Sequence, residues 1–307
     1  MDLARRRQQN RNISKQLLPY FLVIPALIFY VMFWVRPVMQ QFIDSFTNSA
    51  GQFTLDNYRL VFSDPDFGIA FANTAIIVVI SVILEFFLAL FLALLINRNF
   101  RGSGIFLFLV LIPMALPAVA VAAMWKTGLT TNGWLNSLLM YIGYLEAGEK
   151  IYWLAGSRWK MLTLIIILDA WQVIPSVMII LLAGLQNIPR ETEEAGYVFG
   201  GNYLTVLRKI TIPILGPTIQ TAVILRLIAA IQIWLIIIVL IGFSRVPVLV
   251  ERIVYYEKEV PRLEVSPLMV AGYTIIVTVI VSIAAISYLR VSGAFSRRGA
   301  EVEDGVA

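Results

Sequence analysis

Apolar residues are concentrated in six long runs that are separated by shorter polar segments. A helix that crosses a bilayer needs about 20 mostly apolar residues, and each run is long enough to supply most or all of them. The runs are Leu17–Val35, Phe71–Ile96, Ile105–Trp125, Met161–Leu185, Ile214–Phe243 and Met269–Leu289. The pattern predicts an all-α membrane protein with about six transmembrane helices in residues 17–290.

Two of the runs differ from a simple straight span. The third contains Pro113 and Pro117, which membrane helices tolerate when the freed backbone groups find other partners. The fifth, Ile214–Phe243, is too long for an upright helix, and we expect it to tilt or to begin in the headgroup layer.

The distribution of basic residues predicts the orientation of the chain. With a cytoplasmic N-terminus, the inner segments carry 13 Lys and Arg residues and the outer segments carry 9. Cytoplasmic loops are enriched in Lys and Arg, so both termini are predicted to be cytoplasmic. Residues 1–16 then form a basic N-terminal segment and residues 291–307 a cytoplasmic tail. The long outer segments are expected to form short interfacial helices.

Composition narrows the chemistry further. Hydrophobic residues make up 59% of the chain and charged residues 14%, and there is neither Cys nor His. Their absence excludes disulfides, thiolate metal sites, a Cys nucleophile and a His base. No glycine-rich phosphate loop or acidic metal motif is present, so no catalytic residue, metal or cofactor is predicted for this chain. The net charge of +5 is too scattered to indicate nucleic-acid binding.

The segment 186–213 has a pattern that is unusual for a loop between two spans. Pro189, followed by acidic residues in the next turn, is typical of a helix start. Gly200 and Gly201 predict the end of that helix, and apolar residues at helical spacing predict a second one over about 202–210. We expect a two-helix hairpin in which Gly200 makes a corner too tight for a Cβ atom. Pro213 is expected to fix the point where the chain re-enters the membrane, because its ring forbids a continuous helix back into the hairpin.

The same segment resembles the coupling-helix motif of permeases from binding-protein-dependent ABC importers. That motif has Glu-Ala, a Gly six residues after the Glu, and a later Ile and Pro. The matching residues are Glu194, Ala195, Gly200, Ile210 and Pro213. Asp56-Asn57-Tyr58 and Asn73-Thr74 are also similar to carbohydrate-type permeases, and the resemblance extends over residues 15–292. Gly196 and Phe199 differ from the usual Ala and Asp, and residues 241–247 keep one Gly and one Pro of the usual Gly-rich loop.

The resemblance implies a non-catalytic permease subunit of an ABC importer of the maltose or carbohydrate type, in a prokaryotic plasma or inner membrane. It also implies four kinds of partner: a second, different permease subunit, two ATPase subunits that bind ATP and Mg²⁺, an external substrate-binding protein and a sugar-like solute. The chain itself is expected to bind lipid and no nucleic acid.

Four ionisable residues lie within or at the edge of the spans, namely Arg36, Glu85, Asp169 and Arg226. Charged residues are costly in lipid and tend to face the interior of a helix bundle. Counted along their helices, Glu85 and Arg226 lie at similar depths, so the two are predicted to form an ion pair. A proton-linked or substrate-linked role for them is the alternative.

Polar and aromatic residues in the fourth and fifth runs indicate where a solute could pass. The resemblance to maltose-type permeases implies a substrate path formed by Gln172, Val173, Ser176, Gln232 and Trp234. Polar side chains also serve in helix packing within membranes, which is the alternative for each residue.

Three alternatives to a sugar importer are left open by the residues. The first is a permease of the same superfamily for another solute, such as glycerol phosphate or a polyamine. The second is an ion-coupled secondary carrier that uses Glu85 or Asp169 for protons, although the two halves of the chain show no hydropathy symmetry. The third is a membrane scaffold, which would not need polar groups deep in two spans.

Overall fold

The computed structural model describes residues 20–48, 50–146 and 148–293, which form helices joined by turns. The helices are α1 (Tyr20–Asp44), α2 (Asp56–Phe62), α3 (Phe67–Asn97), α4 (Ser103–Ala115), α5 (Ala118–Leu129), α6 (Trp134–Tyr141), α7 (Arg158–Gln186), α8 (Arg190–Val198), α9 (Tyr203–Ile214), α10 (Gly216–Ile231), α11 (Leu235–Ile241), α12 (Leu249–Val254) and α13 (Ser266–Val291). The predicted segment 1–16 and most of the tail 291–307 lie outside the described residues.

Four of the helices, α1, α3, α7 and α13, are long and apolar enough to cross a membrane, and two bent helix pairs raise the number to six. This confirms the predicted all-α membrane fold with about six spans. The helices extend beyond most of the predicted runs. The α1 helix continues past Val35 to Asp44, so Arg36 lies inside this helix, where it is exposed.

The span predicted over Ile105–Trp125 is formed by two helices with a sharp bend between them rather than by one continuous helix. The α4 and α5 helices meet at 94°, with the break at Leu116 and Pro117. A proline ring clashes with the helical conformation of the residue before it, and Leu116 is accordingly extended, with φ −87° and ψ 137°. Pro113, by contrast, stays inside α4.

The expectation of one continuous helix over Ile214–Phe243, tilted or starting in the headgroup layer, is wrong. The chain bends by 69° between α9 and α10, and it leaves the helix again at Gln232 before α11 begins at Leu235. A continuous helix turns each residue by about 100° from the one before it. The second break instead brings Gln232, Ile233 and Trp234 onto the same cavity.

The centre of the fold is the contact between α3 and α7, which run in the same direction. Ala89 and Ala93 are fully buried on α3, in one cluster with Met178 and Leu181 of α7. Small residues four positions apart allow two membrane helices to approach closely, which explains the tight packing here. The α1 helix differs, because no residue in its most apolar stretch is buried.

Two asparagines secure the loops at the end of the molecule opposite α8. The Asn57 amide nitrogen lies 3.0 Å from each of three backbone oxygens, those of Asp44, Ser45 and Thr47. Asn73 donates to the Pro247 carbonyl over 2.7 Å and accepts from Arg158 over 2.6 Å. These contacts give a structural role to the Asn residues that the sequence shares with carbohydrate-type permeases.

Replacing Asn57 with Ala should destabilise the protein by about 1–3 kcal/mol, because buried backbone oxygens would lose their donor. Thermal unfolding of the detergent-purified chain measures this loss. Asn187→Ala is the matched control, since the Asn187 side chain is exposed. Equal melting temperatures for the two variants would show that the Asn57 contacts do not contribute to stability.

Candidate functional site

A cavity of about 350 Å³, called here the central cavity, lies between the two broken helices. Its lining residues come from α4, α5, α7, α10, α11 and the break between α10 and α11. They are Met114, Ala118, Asp169, Gln172, Val173, Ser176, Arg226, Ala229, Gln232, Ile233, Trp234, Leu235 and Ile236. The five residues of the predicted substrate path are all among them, so the fold brings the whole set together on one cavity.

The α7 side of the central cavity carries amide and hydroxyl groups. Gln172 donates from Nε2 to the Leu116 carbonyl over 3.2 Å, at the break between α4 and α5. That carbonyl has left the helix, and Gln172 supplies the partner that a membrane interior would otherwise deny it. Ser176 donates to the Val173 carbonyl over 2.7 Å, within α7.

The opposite side is formed by the break between α10 and α11. Gln232 is exposed, whereas Trp234 is partly buried and packs against the cluster that contains Ile236 and Ile237. The cavity therefore offers an amide and an indole from one short stretch of chain. Since α11 begins at Leu235, the first N–H groups of this helix also lack partners within it.

At the base of the cavity, Arg226 binds two carboxylates from two other helices. From α10 it donates through Nε and Nη2 to Glu85 of α3, with the Nη2–Oε1 distance 2.9 Å, and through Nη2 to Asp169 of α7. Glu85 is completely buried, and the side chains of Arg226 and Asp169 are 6% and 10% exposed. These three residues are called the triad below.

The structure brings Glu85 and Arg226 together, and it adds Asp169, for which the count of helix positions predicted no pairing with Arg226. That count ignored the long, forked Arg side chain, which can reach two helices at once. A lone charge at this depth would be costly, so the triad links α3, α7 and α10 through mutual compensation.

The α8 and α9 helices form the expected two-helix hairpin, which here extends over Arg190–Ile214. Gly200 has φ +84°, a conformation that favours glycine, but a Cβ atom added there would meet no atom within 4 Å. The expectation of a tight corner at Gly200 is therefore wrong. The tight position is Gly201, where a Cβ atom would lie 2.7 Å from the Gly196 carbonyl oxygen.

Gly196, where the family usually has Ala, lies in the contact between the two hairpin helices. A Cβ atom on Gly196 would lie 2.5 Å from Cδ1 of Ile210 and 3.0 Å from Cγ2 of Val206. The departure from the usual motif thus leaves room for these two side chains. It also gives Ile210 a packing role inside the hairpin.

The acidic residues of α8 point in different directions. Glu193 accepts a hydrogen bond from Thr211 of α9 over 2.7 Å, while Glu194 and Ala195 are exposed. The expectation that the ring of Pro213 interrupts the helix is wrong, because α9 continues through Pro213 to Ile214 and the chain bends only after it. A π-helical turn at Leu207–Thr211 precedes the proline, and its wider spacing accommodates the missing N–H donor.

A second buried cluster, at the opposite end of the molecule, was missed by sequence reasoning. Arg252 of α12 pairs with Asp64 over 3.2 Å, and Asp64 also accepts from Tyr273 over 2.6 Å and from Tyr256 over 3.1 Å. Arg252 was counted as a loop charge, and the sequence carries no signal that pairs it with a residue 188 positions away.

The carboxylate of Asp64 is stabilised in its charged form. Burial alone would raise the pKa of Asp64, but the hydrogen bond from Tyr273, the backbone N–H of Asp66 and the Arg252 charge together hold this pKa below its ordinary value. The cluster therefore stabilises the fold at neutral pH and loses that contribution in acid, when Asp64 becomes protonated.

Comparison with known proteins places this arrangement in a family. Residues 85–298 match the family described as the binding-protein-dependent transport system inner membrane component. The match covers more than half of the chain and includes the triad, the whole lining of the central cavity and the hairpin. The chain belongs to this family. The family that the sequence resembles is thereby confirmed, and the protein is a multi-pass membrane component of a transport system.

Relatives of this inner membrane component are named as permease proteins. The trehalose/maltose transport system permease protein MalF of Thermococcus litoralis is 33% identical over 232 residues, which cover 73% of this chain and 77% of the relative. The lactose transport system permease protein LacF of Rhizobium radiobacter is 30% identical over 220 residues, covering 70% and 73%. The sulfoquinovosyl glycerol transport system permease protein SmoG of Agrobacterium fabrum is 31% identical over 229 residues, covering 72% and 73%.

The fold is also found in a solved transporter. A chain of a bacterial ABC transporter involved in the import of the acidic polysaccharide alginate superposes with a TM-score of 0.77 at 20% identity, over 95% of this chain and 99% of that one. At this identity the likeness establishes the fold of the inner membrane component and nothing beyond it.

Replacing Arg226 with Met should destabilise the protein strongly, on the order of 3–5 kcal/mol, because two buried carboxyl groups lose their cation. Adding Glu85→Gln and Asp169→Asn to Arg226→Met should recover most of the loss, since no buried charge then remains. Thermal unfolding in detergent measures both effects, with the exposed Arg59→Met as control. If the triple variant melts as low as the single one, the triad does not act as a charge-compensated unit.

Proposed function

We propose that this chain is the permease subunit through which an ATP-driven importer moves a carbohydrate across a prokaryotic plasma or inner membrane. The central cavity is the observation that carries the proposal. It combines two Gln amides, a Ser hydroxyl and an indole at the breaks of two membrane helices. The names of relatives that transport trehalose, maltose and lactose support a sugar as the solute.

The chemistry of the cavity suits a sugar because a sugar ring has hydroxyl groups at its edge and apolar C–H faces. Gln172 and Gln232 can each donate and accept hydrogen bonds. Trp234 offers a flat apolar surface together with one N–H donor. Val173 and Ser176 complete the α7 wall. The five residues therefore form this chain's share of the solute path.

We further propose that the hairpin docks on an ATPase subunit. Val198, Phe199 and Leu204 are 83%, 91% and 70% exposed at its surface, and Glu194 and Ala195 lie beside them on α8. Exposed apolar groups of this size are typical of an interaction site. ATP and Mg²⁺ would be bound by two such ATPase subunits, and the permease itself would catalyse no reaction.

Two further partners complete the proposed importer, a second permease subunit and a substrate-binding protein. A second, different permease subunit would complete the path. A substrate-binding protein would deliver the solute at the end that carries Asn57, Asn73 and Arg252. The hairpin and both termini would then be cytoplasmic, in agreement with the excess of Lys and Arg in those segments.

The triad argues against an ion-coupled carrier. A carrier of that kind needs a carboxyl group that exchanges protons during transport, whereas Glu85 and Asp169 both bind Arg226. Family membership favours ATP-driven import as well. Among permease substrates, glycerol phosphate and polyamines stay as alternatives to a sugar.

Replacing Trp234 with Ala should reduce uptake at least tenfold while the complex still assembles, because the path loses its stacking surface. Uptake of radiolabelled sugar into proteoliposomes that contain the complete importer measures this effect. The matched control is Trp159→Ala, since Trp159 is 62% exposed and does not line the central cavity. Unchanged uptake by the Trp234 variant would show that Trp234 does not contribute to the solute path.

Glu194→Lys and Gly200→Val should each leave a membrane-inserted protein whose partner ATPases no longer drive uptake. The lysine reverses the charge at the proposed docking surface, and the valine is strained at the positive φ of Gly200. ATPase activity and uptake are measured together in the reconstituted complex, with and without binding protein and solute. Glu146→Lys, an exposed change at the opposite end, is the control. Normal transport by both hairpin variants would show that the hairpin only connects two spans and does not couple ATP hydrolysis to uptake.

A further inference from the structure

We propose that this chain's half of the path passes uncharged saccharides and rejects solutes that carry a carboxylate, sulfate or phosphate group. The proposal rests on the proposed sugar-permease function and adds the class of sugar. Its basis is the set of charges on the wall of the central cavity.

Two charged residues line the central cavity within the described part of the chain, Asp169 and Arg226. The other lining residues are apolar or carry neutral amide, hydroxyl or indole groups. Arg226 is therefore the one cation that an anionic solute would meet on this wall. The chain contains no His that could add a positive charge at lower pH.

The charge of Arg226 is already compensated. Its guanidinium donates to both carboxylate oxygens of Glu85 and to one oxygen of Asp169. An arginine does not lose its proton in proteins, so the triad holds one positive charge and two carboxyl groups. Its net charge is −1 when both are ionised and zero when they share one proton. It is positive in neither state.

Asp169 also gives the wall an acceptor for sugar hydroxyls. The side chain is nine-tenths buried and lines the cavity, and one of its oxygens accepts from Arg226. No hydrogen bond to the other carboxylate oxygen occurs among the described residues. A carboxylate oxygen accepts hydrogen bonds from neutral hydroxyl groups and repels a second anion, more strongly in a low-dielectric site than in water.

An uncharged solute fits this wall better than an anion does. An anion would find the one cation of this wall, Arg226, already paired with both acids of the triad. The two Gln amides and the indole, in contrast, recognise a neutral polyol without any charge. The wall thus favours neutral saccharides over anions.

Relatives and structural neighbours are named for solutes that differ in charge, so the preference for uncharged saccharides is a proposal specific to this chain. SmoG is named for a sulfonated glycoside, and the structural neighbour takes part in the import of an acidic polysaccharide. MalF and LacF are named for neutral sugars. The charges on the cavity wall place this chain with the second group.

The experiment compares two disaccharides that differ in one group. The probes are maltose and its derivative in which one hydroxymethyl group is oxidised to a carboxylate. Saturation-transfer NMR at neutral pH measures the binding of each probe to the complete importer in nanodiscs, without binding protein, so that the selectivity of that protein does not enter. We expect the acidic probe to bind at least tenfold more weakly than maltose. Trp234→Ala should abolish the maltose signal, which assigns it to the central cavity.

A charge variant tests whether the triad causes the discrimination. Asp169→Asn leaves Glu85 paired with Arg226, so the fold is retained, and the wall loses one negative charge. The difference between the two probes should shrink several-fold, whereas it should persist in Asp169→Glu. Asp44→Asn, the same chemical change at an exposed residue outside the central cavity, should alter neither affinity.

The outcomes separate this proposal from the proposed function. Equal or tighter binding of the acidic probe would overturn the selectivity, while the sugar-permease function would stand. Discrimination that is unchanged in Asp169→Asn would overturn the role of the triad. If neither probe binds at the cavity nor is taken up by proteoliposomes with the binding protein added, the sugar-permease function itself fails.

Discussion

Inside the membrane portion of this protein, the guanidinium of Arg226 needs a counter-charge, and the fold supplies it from two other helices. Arg226 lies on α10, Glu85 on α3 and Asp169 on α7. Because charge in a low-dielectric interior is tolerated only with close partners, these three helices cannot shift independently without separating opposite charges. The central cavity is built on the same residues, so its shape depends on the triad.

The helix breaks follow a related constraint. Irregular backbone is tolerated at membrane depth only where protein or a polar cavity satisfies the freed groups. The break at Leu116 is satisfied by Gln172, which also lines the central cavity, and the break at Gln232 opens onto that same cavity. A polar path and interrupted helices therefore need one another in this fold. Straight helices alone would offer a solute only side chains.

The sequence predicts those features that follow from local composition. Long apolar runs identify the spans because about 20 consecutive apolar residues are what a helix needs to cross a bilayer. The spacing from Glu194 to Pro213 identifies the hairpin. The break at Gln232–Trp234 was not predictable, since neither Pro nor Gly marks it. The pairing of Asp64 with Arg252 was missed for a similar reason, because long-range contacts leave no periodic pattern. Pro117 does indicate the break in the third run, but the sequence does not predict the size of the bend, which is 94°.

The base of the hairpin shows how movement there would reach the path. The α9 helix turns into α10 at Leu215, and at this junction Gly184 of α7 leaves so little space that a Cβ atom would lie 2.6 Å from Thr218 and 2.7 Å from Leu215. Close packing of this kind transmits displacement, since it has no slack to absorb it. From Gly216, α10 leads to Arg226 over ten residues, or about 15 Å of helix. A push on the hairpin would thus act on α7 and α10 together, and the triad couples both helices to α3. If the hairpin docks on an ATPase as proposed, the same charge compensation that stabilises the bundle makes the walls of the path move as a unit.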